Sequence, residues 1–430
     1  MAYQEVTHES WFSRLGKSFR GIVTGIILIG AASFLLYWNE GRTVKTGDAI
    51  GEARAAAVEL NDISKADPSF EGKVIHATGR AETQDRLQDP VFGVGVVAVK
   101  LERKVEYYQW RENSRTEKRK KLGGGEETVT TYTYDQTWTS SPIDSGAFRD
   151  PAYVGVNFVL ANVEREQWVA PNVTFGAYTL SDSLKNSIGG AQPLQVELTD
   201  EQKDGVSKMI TIPAQYQDKK GTAAPGASGS AVDAAARALF GKKEEADPRT
   251  FVHSQGSVIY LGANPNAPKV GDVRVTFSQT PPANISIVSK VIGSTFEHFT
   301  ASNGYTFQRL EMGSVSADNM FEGAQSENKT MAWILRVVGV LLVSAGIRMI
   351  LAPLSVLADV IPLLGDIVGA GTGLVASLLG LAWGLLVIAV AWIRFRPLLA
   401  AVLLAAVVAI LGLLYYRGRV ARKAAGTGAA

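Results

Sequence analysis

The 430-residue chain contains no cysteine. Its absence excludes disulfides, thiolate nucleophiles and thiolate metal sites, but leaves the compartment open, since such a chain is equally safe in reducing and oxidising surroundings. Histidine is scarce: His8, His76, His253 and His298 are scattered, with no HExxH, His/Asp pairing or nucleophile elbow around them. His76 and His253 fall in strand-like segments and read as packed strand residues. Gly93-Val94-Gly95 and Gly123 to Gly125 lack the lysine and the strand-to-helix setting that a phosphate loop needs. An excess of one charge sign is also missing; a formal net charge of +2 argues against a nucleic-acid partner, which requires a clustered basic surface. The chain therefore reads as non-enzymatic, with no catalytic, cofactor-binding or metal-ligating residues to nominate and no cofactor implied.

What the chain does have is membrane-length apolar sequence at both ends. Gly21 to Trp38 (GIVTGIILIGAASFLLYW) carries no charge and is long enough at 1.5 Å per residue to cross a hydrocarbon core of about 30 Å. Arg14, Lys17 and Arg20 precede it, and Tyr37 and Trp38 close it where amphipathic rings favour the headgroups, so residues 1–20 are expected in the cytoplasm. A cleaved signal peptide is the competing reading, but the apolar run continues past Ala31 and Ala32. Three further spans are expected at Met331 to Leu351, Leu374 to Ile393 and Leu398 to Tyr416, followed by a basic cytoplasmic tail, 417–430, with Arg417, Arg419, Arg422 and Lys423. Arg394 and Arg396 fall in the short outer turn between the last two spans, against the positive-inside rule. Pro353 to Ala370 (PLSVLADVIPLLGDIVGA) is apolar but interrupted by Pro353, Pro362 and Gly365. Its Asp359 and Asp366 lie seven apart, on one helical face, which predicts an interfacial amphipathic segment wetting its acids; a pair of intramembrane ion sites is the alternative.

Residues 39–329 then form one extracytoplasmic domain, because long domains translocate largely regardless of charge. It opens with an alanine-rich helix over Thr46 to Leu60 and continues mostly as strands: Lys73 to Gly79, Val91 to Tyr108, Glu127 to Trp138, Phe251 to Leu261, Gly271 to Gln279, Asn284 to Ile292 and Tyr305 to Met312. Arg111 to Glu126 reads as the exposed loop of a long hairpin, with Lys118-Arg119-Lys120-Lys121 as a solvated tip rather than a lipid site, since Glu117, Glu126 and Glu127 stand beside it. Residues 219–248 read as a flexible insertion rich in small residues. Ser316 is the expected N-cap of the helix leading into the second span. The fold class is α+β: four transmembrane helices with a large, mostly β domain between the first and second.

Several strings are similar to the LUMA family, also called transmembrane protein 43. They are Trp38 to Thr46 (WNEGRTVKT), Asp89 to Trp110 (DPVFGVGVVAVKLERKVEYYQW), Ile143-Asp144-Ser145, Gly271 to Ser278 (GDVRVTFS) and Arg396-Pro397-Leu398. They run in order along nearly the whole chain. The resemblance implies a four-span, self-associating protein whose large domain faces the lumen of the endoplasmic reticulum and inner nuclear membrane in eukaryotic members, where emerin and lamins are partners. For a bacterial member it implies the inner membrane with a periplasmic domain. Glu40 and Arg42 are then structural residues at the membrane exit.

Small residues support association: Gly380 and Gly384 form GxxxG, which serves either contacts between copies or packing within one. Arg336 and Arg348, twelve residues apart, are expected to snorkel to opposite surfaces and meet lipid phosphate. Two functions follow. One is a homo-oligomeric scaffold that organises or compartmentalises the membrane, with lipids and other membrane proteins as partners. The other is an ion channel, or an accessory subunit of one, using Asp359, Asp366, Arg394 and Arg396.

Overall fold

The computed structural model describes residues 3–212, 247–393, 401–402, 404–413 and 415–417. Among these, three helices are long and apolar enough to cross a membrane, and their termini follow from local chemistry. Helix α1, Trp11–Ala56, starts where the Ser10 hydroxyl accepts a hydrogen bond from the Ser13 amide at 3.3 Å. It runs unbroken for 46 residues, so the helix expected over Thr46 to Leu60 is the continuation of the first span. Helix α2, Ala317–Ala358, is capped by Ser316 in the same manner and carries Pro353 inside it. Helix α3, Pro362–Trp392, follows after Asp359–Ile361. The stretch 353–370 is thus not one interfacial segment: its first part ends α2, its last part begins α3, and the bend lies just before Pro362, where proline's fixed φ suits a helix start. Of the span expected over 398–416, residues 401–402, 404–413 and 415–416 are helical, and 398–400, 403 and 414 lie outside the described ones.

The helices pack through small residues, because van der Waals contact, not the hydrophobic effect, holds apolar helices together in lipid. A Cβ added to Gly25 of α1 would lie 2.6 Å from the Gly346 carbonyl oxygen of α2, and one added to Gly346 would lie 2.8 Å from the Gly25 oxygen. The two backbones therefore touch at a point where only glycine fits. Gly380 of α3 lies against Ser344 and Gly384 against Val340, so both GxxxG glycines are spent on packing within one copy. Ala32, Leu36, Val343 and Ile388 fill the space between the three helices.

The strands form two main sheets. The first has the order β1-β4-β3-β8-β7-β6, where β1 is Tyr3–Glu9, β2 Val74–Glu82, β3 Lys100–Lys120, β4 Glu126–Thr139, β5 Glu166–Val169, β6 Val252–Gln255, β7 Val258–Leu261 and β8 Val273–Thr280. Strand β5 flanks the start of β3. The second sheet is centred on β9, Ala283–Ile292, which pairs with β2, with β10 (Thr295–Glu297) and with β11 (Arg309–Met312). Phe92, Phe175, Phe277, Phe296 and Leu101 are fully buried between the sheets. A second apolar cluster joins Ile50 and Ala53 of α1 and Met320, Phe321 and Ala324 of α2 to Val74 and Val288, fastening the helix ends to the second sheet. Each such large side chain contributes about 1.5–3 kcal/mol on burial.

The β3–β4 hairpin is longer than its sequence suggests. Residues 111–120, expected as loop, continue β3 in register with β4 from Arg111↔Asp135 to Lys120↔Glu126, and only 121–125 turn. Alternating cross-strand pairs of charge and threonine sustain the strand without an apolar face. The N-terminal strand β1 adds to β4 over seven pairs, Tyr3↔Tyr132 to Glu9↔Glu126, making a three-stranded ribbon. Residues 3–9 and the hairpin tip are therefore packed together, whereas the sequence-derived topology puts residues 1–20 and 39–329 on opposite sides of a membrane. Hydrogen-bonded strands require a common environment.

Candidate functional site: charged clusters at both ends of the helical bundle

The apolar part of the bundle is bounded by two polar clusters. On α1, Arg14 and Glu40 are separated by 26 residues, about 39 Å of helix; on α2, Arg336 and Asp359 are separated by 23, about 35 Å.

At the far end, away from the second sheet, Asp359 is 1 % exposed and accepts hydrogen bonds from Arg14 Nη2 at 2.5 Å and Lys120 Nζ at 2.7 Å. Lys120 also reaches Asp366 at 2.8 Å, so one ammonium bridges both carboxylates. Arg14 additionally donates to the Gly124 carbonyl at 2.5 Å and lies 3.7 Å from Glu126. The tip completes the contact through its backbone: the Gly123 amide donates to the Val360 carbonyl at 3.1 Å, and the Trp11 indole donates to the Val356 carbonyl at 2.8 Å. Gly124 has φ +81° and stacks its backbone on Trp11, two reasons why a side chain is excluded there. Burial opposes the Lys120 charge, but hydrogen bonds to Asp359 and Asp366 outweigh it and hold the ammonium pKa above its ordinary value. The acids of the 353–370 stretch are not a wetted pair: Asp359 is buried and ion-paired, and Asp366 is exposed beside it. The basic tip, expected to be solvated, supplies the bridging cation.

At the near end, Glu40 is fully buried and takes a bidentate pair from Arg336, Nε at 2.6 Å and Nη2 at 2.7 Å, plus the Trp392 indole N–H. The three groups come from α1, α2 and α3, so a single carboxylate ties all three helices. The Arg336 guanidinium lies 4.9 Å from the Trp333 ring centroid and 5.3 Å from that of Trp392, adding cation–π attraction. Arg336 is thus an internal ion-pair partner, not a snorkelling side chain. Asn39 donates to the Ala332 carbonyl at 3.0 Å, Arg42 reaches Asn39 at 3.5 Å, and Asn328 Nδ2 donates to the Thr43 carbonyl at 2.9 Å. Arg348 stands near Gly373 on α3 and belongs to neither cluster. Arg394 and Arg396 lie outside the described residues.

One more charged joint sets the domain on the bundle. Arg309 of β11 holds Glu327 at the start of α2 with two bonds, 2.9 and 2.7 Å, and Glu311 at 2.6 Å. The Glu327 pair raises the Arg309 pKa, and the Arg309 hydrogen bond keeps the Glu327 carboxyl below its ordinary value. Sequence reasoning missed Arg14, Lys120, Trp392 and Arg309 as site residues. Apart from Glu311, two positions from Arg309, their side-chain partners lie 18 to 352 positions away, and no local pattern links them.

Inside the β domain, the string Asp89 to Trp110 has its own structural centre. Asp89 Oδ1 accepts from the amides of Val91 and Phe92, and Oδ2 accepts from Arg103 Nη1 at 2.5 Å. Arg103 lies over Phe92 and Trp168. Both charged side chains are buried, so this is an internal brace.

Comparison with known proteins identifies relatives of the chain. The family model described as transmembrane protein 43 matches residues 107–397, more than half of the chain. The human transmembrane protein 43 is 26% identical over 430 residues, covering 96% of this chain and 93% of its own length. The rat protein is 26% identical over 403 residues, covering 91% and 89%, and the Drosophila melanogaster homolog is 25% identical over 393 residues, covering 89% and 90%. No solved structure matches. With its apolar helices and its β-rich domain, the chain is a multi-pass integral membrane protein and belongs to the transmembrane protein 43, or LUMA, family.

Proposed function

We propose that this chain is a non-enzymatic membrane scaffold, which self-associates and organises or compartmentalises the membrane through its β-rich domain. The observation that carries this reading is the three-stranded ribbon, pinned at its tip and open along both long edges. Strand β1 pairs with β4 on one side, and β3 from Arg111 onward pairs with β4 alone, since its β8 register ends at Tyr107. Such edges present unpaired backbone groups and template pairing with another chain. Because β1 and β3 both run antiparallel to β4, they point the same way. Copies inserted in one membrane share an orientation, so the β3 edge of one fits the β1 edge of the next in a parallel, head-to-tail contact that repeats into a ring or row. Charge supports the match: residues 111–120 carry Arg111, Arg115, Lys118, Arg119 and Lys120 against Glu112 and Glu117, while β1 carries Glu5 and Glu9. Gly25, Gly346, Gly380 and Gly384 are engaged inside one copy, so the GxxxG pair does not supply this contact.

An ion-conducting role would draw on Asp359 and Asp366, of which Asp359 is paired with Arg14 and Lys120 and Asp366 with Lys120. The test is the mass of the detergent- or nanodisc-solubilised particle, measured for the full chain and for a variant lacking residues 3–9. A large, discrete assembly that breaks down without the edge strand supports the reading. A full chain that is monomeric refutes self-association, and a truncated chain that still assembles refutes the ribbon as its basis.

A further inference from the structure

The near-end cluster borders a cleft of about 690 Å³ between α1, α2 and α3, within the range of small-molecule sites. It opens where the apolar stretches of the helices end, and Trp333 and Trp392 line it at the level that aromatic rings occupy in membrane proteins. Its wall includes Glu40 and Asp48 on one side of the charge balance and Lys329 and Arg336 on the other. The lining is neutral overall and suits a ligand that carries both signs.

One buried atom identifies what the ligand must offer. Asn328 is 7 % exposed and lines the cleft. Its Nδ2 donates to the Thr43 carbonyl, a group that only accepts, which fixes the amide orientation and turns Oδ1 the other way. That Oδ1 is buried with no hydrogen-bond partner among the described residues. A buried acceptor left unsatisfied is costly, so the site calls for an N–H or O–H donor from outside the chain. With Glu40 already taken by Arg336 and Trp392, Asn328 is the buried acceptor left unsatisfied in the cleft wall, the exposed Asp48 carboxylate and Gln325 stand at the same cleft, and exposed Lys329 is the cation that can meet an anion.

We propose that this cleft binds the headgroup of a phospholipid with a primary ammonium, phosphatidylethanolamine in class. The ammonium donates to Asn328 Oδ1, the phosphate accepts from Lys329, and the acyl chains descend along the exposed Ile334, Val337 and Leu341 of α2, which share one helical face. Choline lipids have the same charges but no N–H, and leave Oδ1 unsatisfied. Serine lipids add a carboxylate next to Asp48. The site therefore selects for the donor, not for charge.

The experiment is native mass spectrometry of the delipidated full-length protein with equimolar mixtures of phosphatidylethanolamine, its mono- and dimethyl derivatives, and phosphatidylcholine. The first bound lipid is expected to favour ethanolamine over choline about tenfold, equivalent to 1.4 kcal/mol, with the preference lost at the last methylation, where the final N–H disappears. Asn328→Leu is expected to bring the ratio to about one while lipid still binds, and Lys329→Gln to weaken all four lipids alike. The methylation series needs no variant, so a misfolded Asn328→Leu leaves the test intact. Equal binding across the series, or an unchanged preference in a folded Asn328→Leu, overturns the proposal. Displacement of the lipid by water-soluble glycerophosphoethanolamine at the same concentration overturns the assignment to a lipid.

Discussion

Replacing Asp359 with Asn is expected to free the hairpin tip from the helical bundle while leaving the β domain folded. The substitution keeps the side-chain volume and removes one charge that Arg14 and Lys120 share at 2.5 and 2.7 Å. The side chains of Asp359 and Arg14 are 2% and 10% exposed, so the pair counts as buried, and breaking a buried pair costs about 3–5 kcal/mol. The lower end applies here, because Lys120 keeps Asp366 and Arg14 keeps the Gly124 carbonyl. A loss of about 2.7 kcal/mol is a hundredfold rise in the open population. Hydrogen exchange in nanodiscs reads this directly: amides of 115–130 should exchange about a hundredfold faster, and those of β8 and β9 at unchanged rates. Asp366→Asn is the control, since Asp366 is 68% exposed and its bond to Lys120 is worth at most about 1 kcal/mol. Unchanged tip protection in Asp359→Asn, or equal effects of the two substitutions, would refute the assignment of the buried acid as the clasp.

Asp89→Asn leaves the Arg103 guanidinium buried without its main counter-charge; a destabilisation of about 3 kcal/mol is expected from denaturant titration followed by the fluorescence of nearby Trp168, and a change under 1 kcal/mol would show the brace to be dispensable. The Arg309–Glu327 joint should be acid-labile. Because the folded Glu327 pKa is lowered, its contribution is present above the unfolded value near 4.5 and is lost as pH falls through the folded value. The wild-type thermal midpoint should therefore approach that of Glu327→Gln below pH 4, and a gap that stays constant down to pH 3 would contradict the pairing. The absence of native cysteine permits a test of sidedness: in proteoliposomes, Thr7→Cys and Arg119→Cys should react with an impermeant maleimide from the same side, and labelling from opposite sides would rule out the β1–β4 register.

Much of this architecture is legible in the sequence because it rests on composition and period. Uncharged runs mark helices that suit lipid, and the alternation through Val97, Val99, Leu101 and Arg103 marks a strand with one buried face. Ser316 announces a helix start by its hydroxyl. The legibility stops where a residue's role depends on a distant partner. Lys120 sits in a basic run with three glutamates nearby, which looks solvated until the chain returns 239 residues later to place Asp359 beside it. Arg14 reads as a positive-inside residue, and its position one turn into α1 says nothing of Gly124. The extent of β3 was hidden for a related reason: residues 111–120 have no apolar alternation, and their strand exists because β4 pairs along them while β1 extends the sheet on β4's other edge. Gly380 and Gly384 were readable as contact glycines, but sequence alone does not say whether the helix they meet belongs to the same copy.

The two clusters differ in what they fasten, and that difference bears on how the molecule works in a membrane. Glu40 joins three helices to one another, so the near end of the bundle behaves as one body in line with the second sheet, to which Ile50 and Phe321 attach it. Asp359 joins the bundle to a ribbon that belongs to the first sheet. The β domain is therefore held at two points about 35 Å or more apart along the helices, one through each sheet. A domain held at a single point pivots about it; one held at two keeps its angle to the helices. Fixed angle is what edge-to-edge assembly of many copies requires, since a pivoting ribbon would present its β1 and β3 edges in no constant direction. On this argument Asp359→Asn should disperse assemblies by loosening orientation, even though the residue lies on neither ribbon edge. An Asp359→Asn particle with the mass and regularity of the wild type would break the link between clasp and assembly.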